Sequence, residues 1–142
     1  MIREAEIRDR ARIEELYRIL IPDADDINVL EERIEQIKRD SNNFLYVAEI
    51  DGRVEGTVLL SICLDAMFGN RPYAVAENII VDPASRGKGV GKDLITCAVS
   101  QCKKLGCREV LLMSNLRRTE AHLFFERQGF SPVAKGFKKY LD

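Results

Sequence analysis

Apolar positions along this chain recur with two periods, and the switches between them mark out its elements. Ile2, Ala5 and Ile7 open a short strand. Ile13, Leu16, Tyr17, Leu20 and Ile21 follow at helical spacing with charged residues between them, Asp9 standing as the cap and Pro22 as the stop. Pro22-Asp23-Ala24-Asp25-Asp26 reads as an acidic loop, and Leu30, Ile34 and Ile37 form the apolar stripe of a second helix. Phe44–Ile50 and Val54–Ile62 are two strands around Asp51-Gly52, where the glycine suits the positive φ of a tight hairpin turn. Phe68-Gly69-Asn70-Arg71-Pro72 reads as a turn into a strand from Tyr73 to Val81, which Asp82-Pro83 stops. After a glycine-rich loop, Val90, Leu94, Ile95, Ala98, Val99, Cys102 and Leu105 predict a long amphipathic helix ending at Gly106. Glu109–Ser114 is a buried strand. Thr119 caps a helix holding Ala121, Phe124 and Phe125 that closes at Gly129, and Phe137-Lys138-Lys139-Tyr140-Leu141 alternates as a last, edge strand. In this order the elements make a mixed sheet covered by helices, compatible with either an α+β or an α/β arrangement.

Length and composition narrow the picture. The 142 residues, 46% of them hydrophobic, suit one domain spanning 1–142, and no repeat or Pro/Ser/Gly-rich linker divides it. Twenty-two Lys+Arg against 23 Asp+Glu leave a net charge of -1, without the basic excess that drives binding to a phosphate backbone, so nucleic acid is not an expected partner. Apolar runs such as Val58-Leu59-Leu60 fall far short of the roughly 20 residues of a membrane span. The opening Met1–Glu6 carries acids where a secretory leader carries cations and then a continuous apolar segment, so a cytoplasmic location is expected. Cys63, Cys97, Cys102 and Cys107 contain no Cys-x-x-Cys pair, and the lone His122 is not at zinc-finger spacing from them. No metal site is expected, and the cysteines read as small apolar fillers in a reducing compartment.

The candidate chemistry lies in Val81-Asp82-Pro83-Ala84-Ser85-Arg86-Gly87-Lys88-Gly89-Val90-Gly91-Lys92, between a strand and a helix. A helix N-terminus offers unpaired N–H groups and partial positive charge, and glycines let an anion reach them without Cβ atoms in the way. Arg86, Lys88 and Lys92 add side-chain donors, which suits a phosphate or pyrophosphate. Two nucleotide motifs fail on spacing. A dinucleotide fingerprint begun at Gly87 needs glycine at Lys92, and a Walker loop ending at Gly91-Lys92 needs glycine at Arg86 and a hydroxyl at Asp93.

The loop resembles the acetyl-CoA loop of the GNAT superfamily of N-acetyltransferases, whose Arg/Gln-x-x-Gly-x-Gly/Ala pattern is matched by Arg86, Gly89 and Gly91. The resemblance extends to an acid on the preceding strand, Glu77, to the Val81-Asp82-Pro83 step, and to the late block Ala121-His122-Leu123-Phe124-Phe125-Glu126-Arg127-Gln128-Gly129-Phe130. It implies a central, mixed but mostly antiparallel sheet flanked by helices on both faces, acetyl-CoA as acyl donor, and a primary amine of a small molecule as acceptor, attacking directly in a ternary complex. It also implies that Ile79, Ile80 and Val81 hold the cofactor through main-chain groups, with an N–H near Ile80 or Val81 facing the oxyanion. By the same resemblance Arg86, Gly87, Lys88, Gly89, Val90, Gly91 and Lys92 cradle the pyrophosphate, Asn115 and Phe125 touch the cofactor, and the protein forms a homodimer. Glu77 is the candidate general base, its carboxyl raised by burial in a cleft. The chain departs from the pattern at Phe125, where many members carry a proton-donating tyrosine. Tyr140 or Ser114 is then the candidate acid, or solvent replaces it. The same departure motivates the alternative of a non-catalytic acyl-CoA-binding or sensing domain. A protein- or peptide-directed acetyltransferase is a further alternative. The acidic loop at Asp23–Asp26 would suit a cationic acceptor.

Overall fold

The computed structural model describes residues 1–142, which form two compact units, Met1–Leu111 and Leu112–Asp142. The first holds β1 (Ile2–Glu4), α1 (Arg10–Leu20), α2 (Glu31–Arg39), β2 (Asn43–Ile50), β3 (Arg53–Cys63), β4 (Tyr73–Val81) and α3 (Val90–Lys104). β5 (Val110–Leu112) crosses the boundary, and α4 (Thr119–Arg127) lies in the second unit. The strands lie in the order β1-β2-β3-β4-β5, and the first three neighbouring pairs are antiparallel. This is the mixed, mostly antiparallel sheet expected.

Alternation along the strands sends side chains to two helical layers. Leu45, Val47 and Ile80 pack with Ile13, Leu16 and Ile34 of α1 and α2, while Tyr17, Ile37 and Leu59 lie against that cluster. On the other face, Gly56 lies beneath α3: a Cβ there would stand 3.0 Å from Leu94 Cδ1, 3.2 Å from Val90 Cγ1 and 3.1 Å from the Ile80 carbonyl oxygen. Glycine is what lets the helix that opens the candidate loop approach the sheet so closely. Of the stripe read from the sequence, Val90, Leu94, Ile95, Ala98 and Cys102 are the buried residues of α3, while Val99 is half-buried and Leu105, just past the helix end, is exposed.

Two bulges break the alternation. Ala48 pairs with Gly56 and Glu49 with Val54, so Glu55 is an extra residue on β3. Thr57 pairs with Ile80 and Leu59 with Glu77, so one residue of β3, Val58, opposes Asn78 and Ile79 of β4. Asn78 takes φ 54°, and asparagine tolerates that left-handed conformation better than most residues. A bulge turns a strand's later side chains to the opposite face, and accordingly Ala76 pairs with Leu60 on one side while Ile80 joins the α1/α2 cluster on the other.

The structure corrects five local expectations. The opening strand ends at Glu4, and Ile7–Asp9 is a 3-10 turn, because the Asp9 carboxylate accepts from the Glu6 amide at 2.8 Å and from the Arg3 guanidinium at 2.8 and 2.9 Å, folding the chain back. Asp9 stands at the α1 N-cap but makes no side-chain bond into that helix, being committed to Arg3 and Glu6. Thr119 is the first residue of α4 and Arg118 its cap. The buried strand predicted over Glu109–Ser114 shortens to Val110–Leu112, where Val110 and Leu112 are half-buried and Leu111 is exposed, and Phe137–Leu141 forms no strand. Alternation can encourage an extended conformation, but a strand exists only where a neighbour accepts its backbone bonds, and residues 131–142 are exposed throughout.

Candidate functional site

In the first unit, the site grows from the end of β4. Glu77 and Asn78 are exposed at the bulge, Ile79 and Val81 are half-buried and Ile80 is buried. Glu77 lies opposite Leu59, on the sheet face that carries the α1/α2 cluster. Glu77 is exposed on that face, so the enclosure expected for it is not supplied within this unit.

Beyond Val81 the chain makes a short turn, Pro83–Ser85, held at both ends. Asp82 Oδ1 accepts from the Ala84 amide at 2.9 Å, and the Ser85 amide donates to Asp82 O at 2.8 Å. The Arg86 Nε–H donates to Val81 O at 3.1 Å, folding that guanidinium over the start of the loop. Gly87 (φ 79°) and Gly89 (φ 83°) are left-handed, and a Cβ on either would meet nothing within 4 Å, so the space before them is open. The first amide of α3 with a helical acceptor is Asp93, donating to Gly89 O at 3.0 Å. The six amides from Gly87 to Lys92 therefore have no acceptor within the protein, and Lys88 and Lys92 are exposed beside them without an ion pair. A row of free donors, positive side chains and room for an oxygen in place of a Cβ fits a pyrophosphate.

This turn is also tied to the rest of the unit. Arg12 of α1 donates to Asp82 Oδ2 at 2.6 Å and to Val54 O at 2.7 Å, with Glu55 Oε2 3.5 Å away. Ser85 Oγ donates to Glu55 Oε2 at 2.8 Å, Arg53 to Glu55 Oε1 at 3.2 Å, and the Asp82 amide to Glu55 O at 2.8 Å. The bond from Arg12, helped by the Ala84 amide, holds the Asp82 carboxyl below the usual carboxylate range. The sequence pattern singles out neither Arg12 nor Glu55 and marks Asp82 with Pro83 as a strand stop. Nothing local marks Glu55 as their partner, since its direction follows from the bulge.

In the second unit, Asn115 Oδ1 accepts from the Arg117 amide at 2.9 Å, while Asn115 O accepts from the Arg118 amide at 3.0 Å and lies 2.9 Å from His122 Nε2. Asn115 thus organises its own turn into α4. Phe125 is 5% exposed and packs edge-on against Phe124 and Phe130 at ring separations of 5.4 and 6.3 Å. Tyr140 is 80% exposed, with Lys138 Nζ 5.5 Å from its ring centre. Ser114 Oγ is shielded and has no hydrogen-bond partner. Among the thiols of the first unit, burial pushes Cys102 up to about 12 and Cys97 upward as well, so neither is a thiolate nucleophile at neutral pH.

Comparison with known proteins supplies the class that these features define. Residues 10–130 match the acetyltransferase (GNAT) family, and the chain belongs to it. It is an N-acetyltransferase with acetyl-CoA as acyl donor. Among its relatives, an uncharacterized N-acetyltransferase of Methanocaldococcus jannaschii is 35% identical over 107 residues, 74% of this chain, though the match spans only 47% of that protein. The crystal structure of glucosamine-6-phosphate N-acetyltransferase from Arabidopsis thaliana superposes with a TM-score of 0.85 at 26% identity, covering 100% of this chain and 98% of the other. AAC(6')-Iy, in complex with the bisubstrate analogue CoA-S-monomethyl-acetylneamine, shares the fold with a TM-score of 0.83 at 24% identity, covering 100% of this chain and 97% of that one.

Proposed function

We propose that the chain, acting as one domain over residues 1–142, transfers an acetyl group to the primary amine of a small molecule by direct attack in a ternary complex. The observation that carries this reading is the run of six acceptorless amides from Gly87 to Lys92 at the start of α3. Arg86, Gly87, Lys88, Gly89, Val90, Gly91 and Lys92 hold the pyrophosphate, and Ile79, Ile80 and Val81 receive the rest of the cofactor along their main chain. Bound acetyl-CoA supplies a thioester carbonyl open to attack. After the bulge at Asn78 the register resumes with Ile80 opposite Thr57 and Val81 opposite Gly56, and the N–H of Ile80 or Val81 is the one assigned to donate to the carbonyl oxygen as charge develops there. Glu77, exposed at the same bulge, takes a proton from the ammonium form of the acceptor directly or through water. By resemblance to the family, Asn115 and Phe125 of the second unit are assigned contacts with the cofactor as well.

The proton for the leaving thiolate comes from Tyr140, from Ser114, whose shielded hydroxyl has no other partner, or from solvent. A thiol near pKa ~8.5 leaves readily enough for any of the three. The name of the Arabidopsis neighbour, a glucosamine-6-phosphate N-acetyltransferase, supports a small polar amine as partner rather than nucleic acid or membrane. No helix is long and apolar enough to cross a membrane.

Thermal unfolding tests the cofactor. Acetyl-CoA at about 100 times its dissociation constant should add about 2.7 kcal/mol, raising Tm by several degrees, whereas NADH and ATP should give no comparable rise. No shift with millimolar acetyl-CoA would overturn the reading. The proposed homodimer draws support from Val133, Phe137, Tyr140 and Leu141, each 80–89% exposed in the second unit. Light scattering should give twice the chain mass for the full chain, and a monomer at micromolar concentration would refute the dimer.

A further inference from the structure

Glu55 and Ser85 are two of the four buried polar residues, both 7% exposed, and they touch each other. A bulge is needed to bring Glu55 there, and an arginine from α1 is needed to balance it. A buried ionic network of this kind contributes little net stability compared with apolar packing of the same volume, so its use is better sought in the position it specifies. That position is the entry to the loop. Asp82, before the Pro83–Ser85 turn, is held by Arg12 and by Glu55 O, and Ser85, at the turn's end, is held by Glu55 Oε2. Arg86 and the six free amides begin at the next residue.

We propose that Arg12, Glu55, Asp82 and Ser85 form a clamp that aims the amides of Gly87–Lys92 as a group, making them positioning residues for acetyl-CoA affinity although none belongs to the loop's glycine pattern. This rests on the loop being the pyrophosphate site. An anion cradle works when its donors converge before the ligand arrives, because donors that must be ordered on binding cost affinity. The Ser85–Glu55 bond ties the loop to β3, and the Arg12–Asp82 pair ties it to α1. Together they fix it against both elements that flank β4 in this network.

The test compares the full chain with Ser85→Ala, Glu55→Gln and the double variant. Acetyl-CoA affinity is measured by calorimetry, turnover with an accepted amine by steady-state kinetics, and amide exchange by mass spectrometry. Ser85→Ala should weaken acetyl-CoA binding about ten-fold, with kcat at saturation within two-fold and the KM for the amine unchanged. Amides 82–86, whose hydrogen bonds the network holds, should exchange faster while those of α1 and β2 keep their protection. The double variant should lose less affinity than the product of the two single losses, since both act through one bond. Faster exchange spread equally over α1 and β2 would mean general loosening and would overturn the clamp, as would unchanged affinity in both single variants of a protein that binds acetyl-CoA normally. If the unaltered protein itself fails to bind acetyl-CoA, the pyrophosphate reading falls, whereas the exchange of amides 82–86 still decides whether the network holds the entry to the loop.

Discussion

Replacing Gly89 with valine is expected to reduce acetyl-CoA affinity at least 100-fold while leaving the protein folded. Gly89 caps α3 at φ 83° and ψ 6°, a conformation that costs an ordinary L-residue roughly 1–2 kcal/mol and a β-branched one more. A Cβ there meets nothing within 4 Å, so no collision inside the protein adds to that strain. The loop can relieve the strain by rotating Gly89 out of the left-handed region, but rotation re-aims the amides on either side of it. Hydrogen bonds to a charged group contribute about 1.5–3 kcal/mol each, so losing two of them suffices for the expected loss. The valine branches also occupy the space into which a phosphate oxygen would come. Calorimetric titration alongside a thermal melt checks this: the expected result is lost binding with Tm lowered by only a few degrees, and affinity within three-fold of the unaltered protein would remove Gly89 from the site.

Glu77→Gln is expected to lower kcat about 100-fold or more, the low end of what a positioned general base contributes, with acetyl-CoA affinity unchanged. The substitution is nearly isosteric at an exposed position, so stability should stay within about 0.5 kcal/mol. A primary amine resembling the lysine side chain titrates near ~10.4 and reaches the enzyme mainly as ammonium at neutral pH. With the base removed, the variant depends on the small fraction of acceptor already neutral. That fraction grows about ten-fold per pH unit below the amine's pKa, so the variant should recover rate on raising the pH more steeply than the unaltered enzyme. Steady-state kinetics from pH 6 to pH 9 reads both effects, and a variant within three-fold of the original at pH 7 would show that Glu77 is not the base.

The two substitutions separate what is local from what is not. The Gly87–Gly91 loop could be read from the chain because its determinants are adjacent residues: a strand halted by Asp82-Pro83, glycines spaced for left-handed turns, and the apolar stripe of α3 starting at Val90. The strand Tyr73–Val81 and the end of α3 before Gly106 were legible for the same reason, and Gly106 takes φ 75° as a helix-terminating glycine does. Family membership followed from the same local patterns, with Arg86, Gly89 and Gly91 at its centre.

Where Glu77 and Glu55 point was decided elsewhere. An alternating pattern assigns each side chain to a face only while the register holds, and each bulge shifts the remainder of its strand by one residue. Whether Asn78 or Glu55 becomes the extra residue depends on what the neighbouring strand and the covering helix accept, none of it nearby in sequence: Arg12 lies 43 residues from Glu55 and 70 from Asp82. Phe137–Leu141 shows the converse, a strand-like alternation left without strand structure. The sequence by itself determined the anion-binding loop, the helices that pack on the sheet, and the family. Only the tertiary structure decided which carboxylate was buried against Ser85 and which was left exposed beside a bulge, because backbone pairing and charge burial depend on partners brought together by folding rather than on neighbours along the chain.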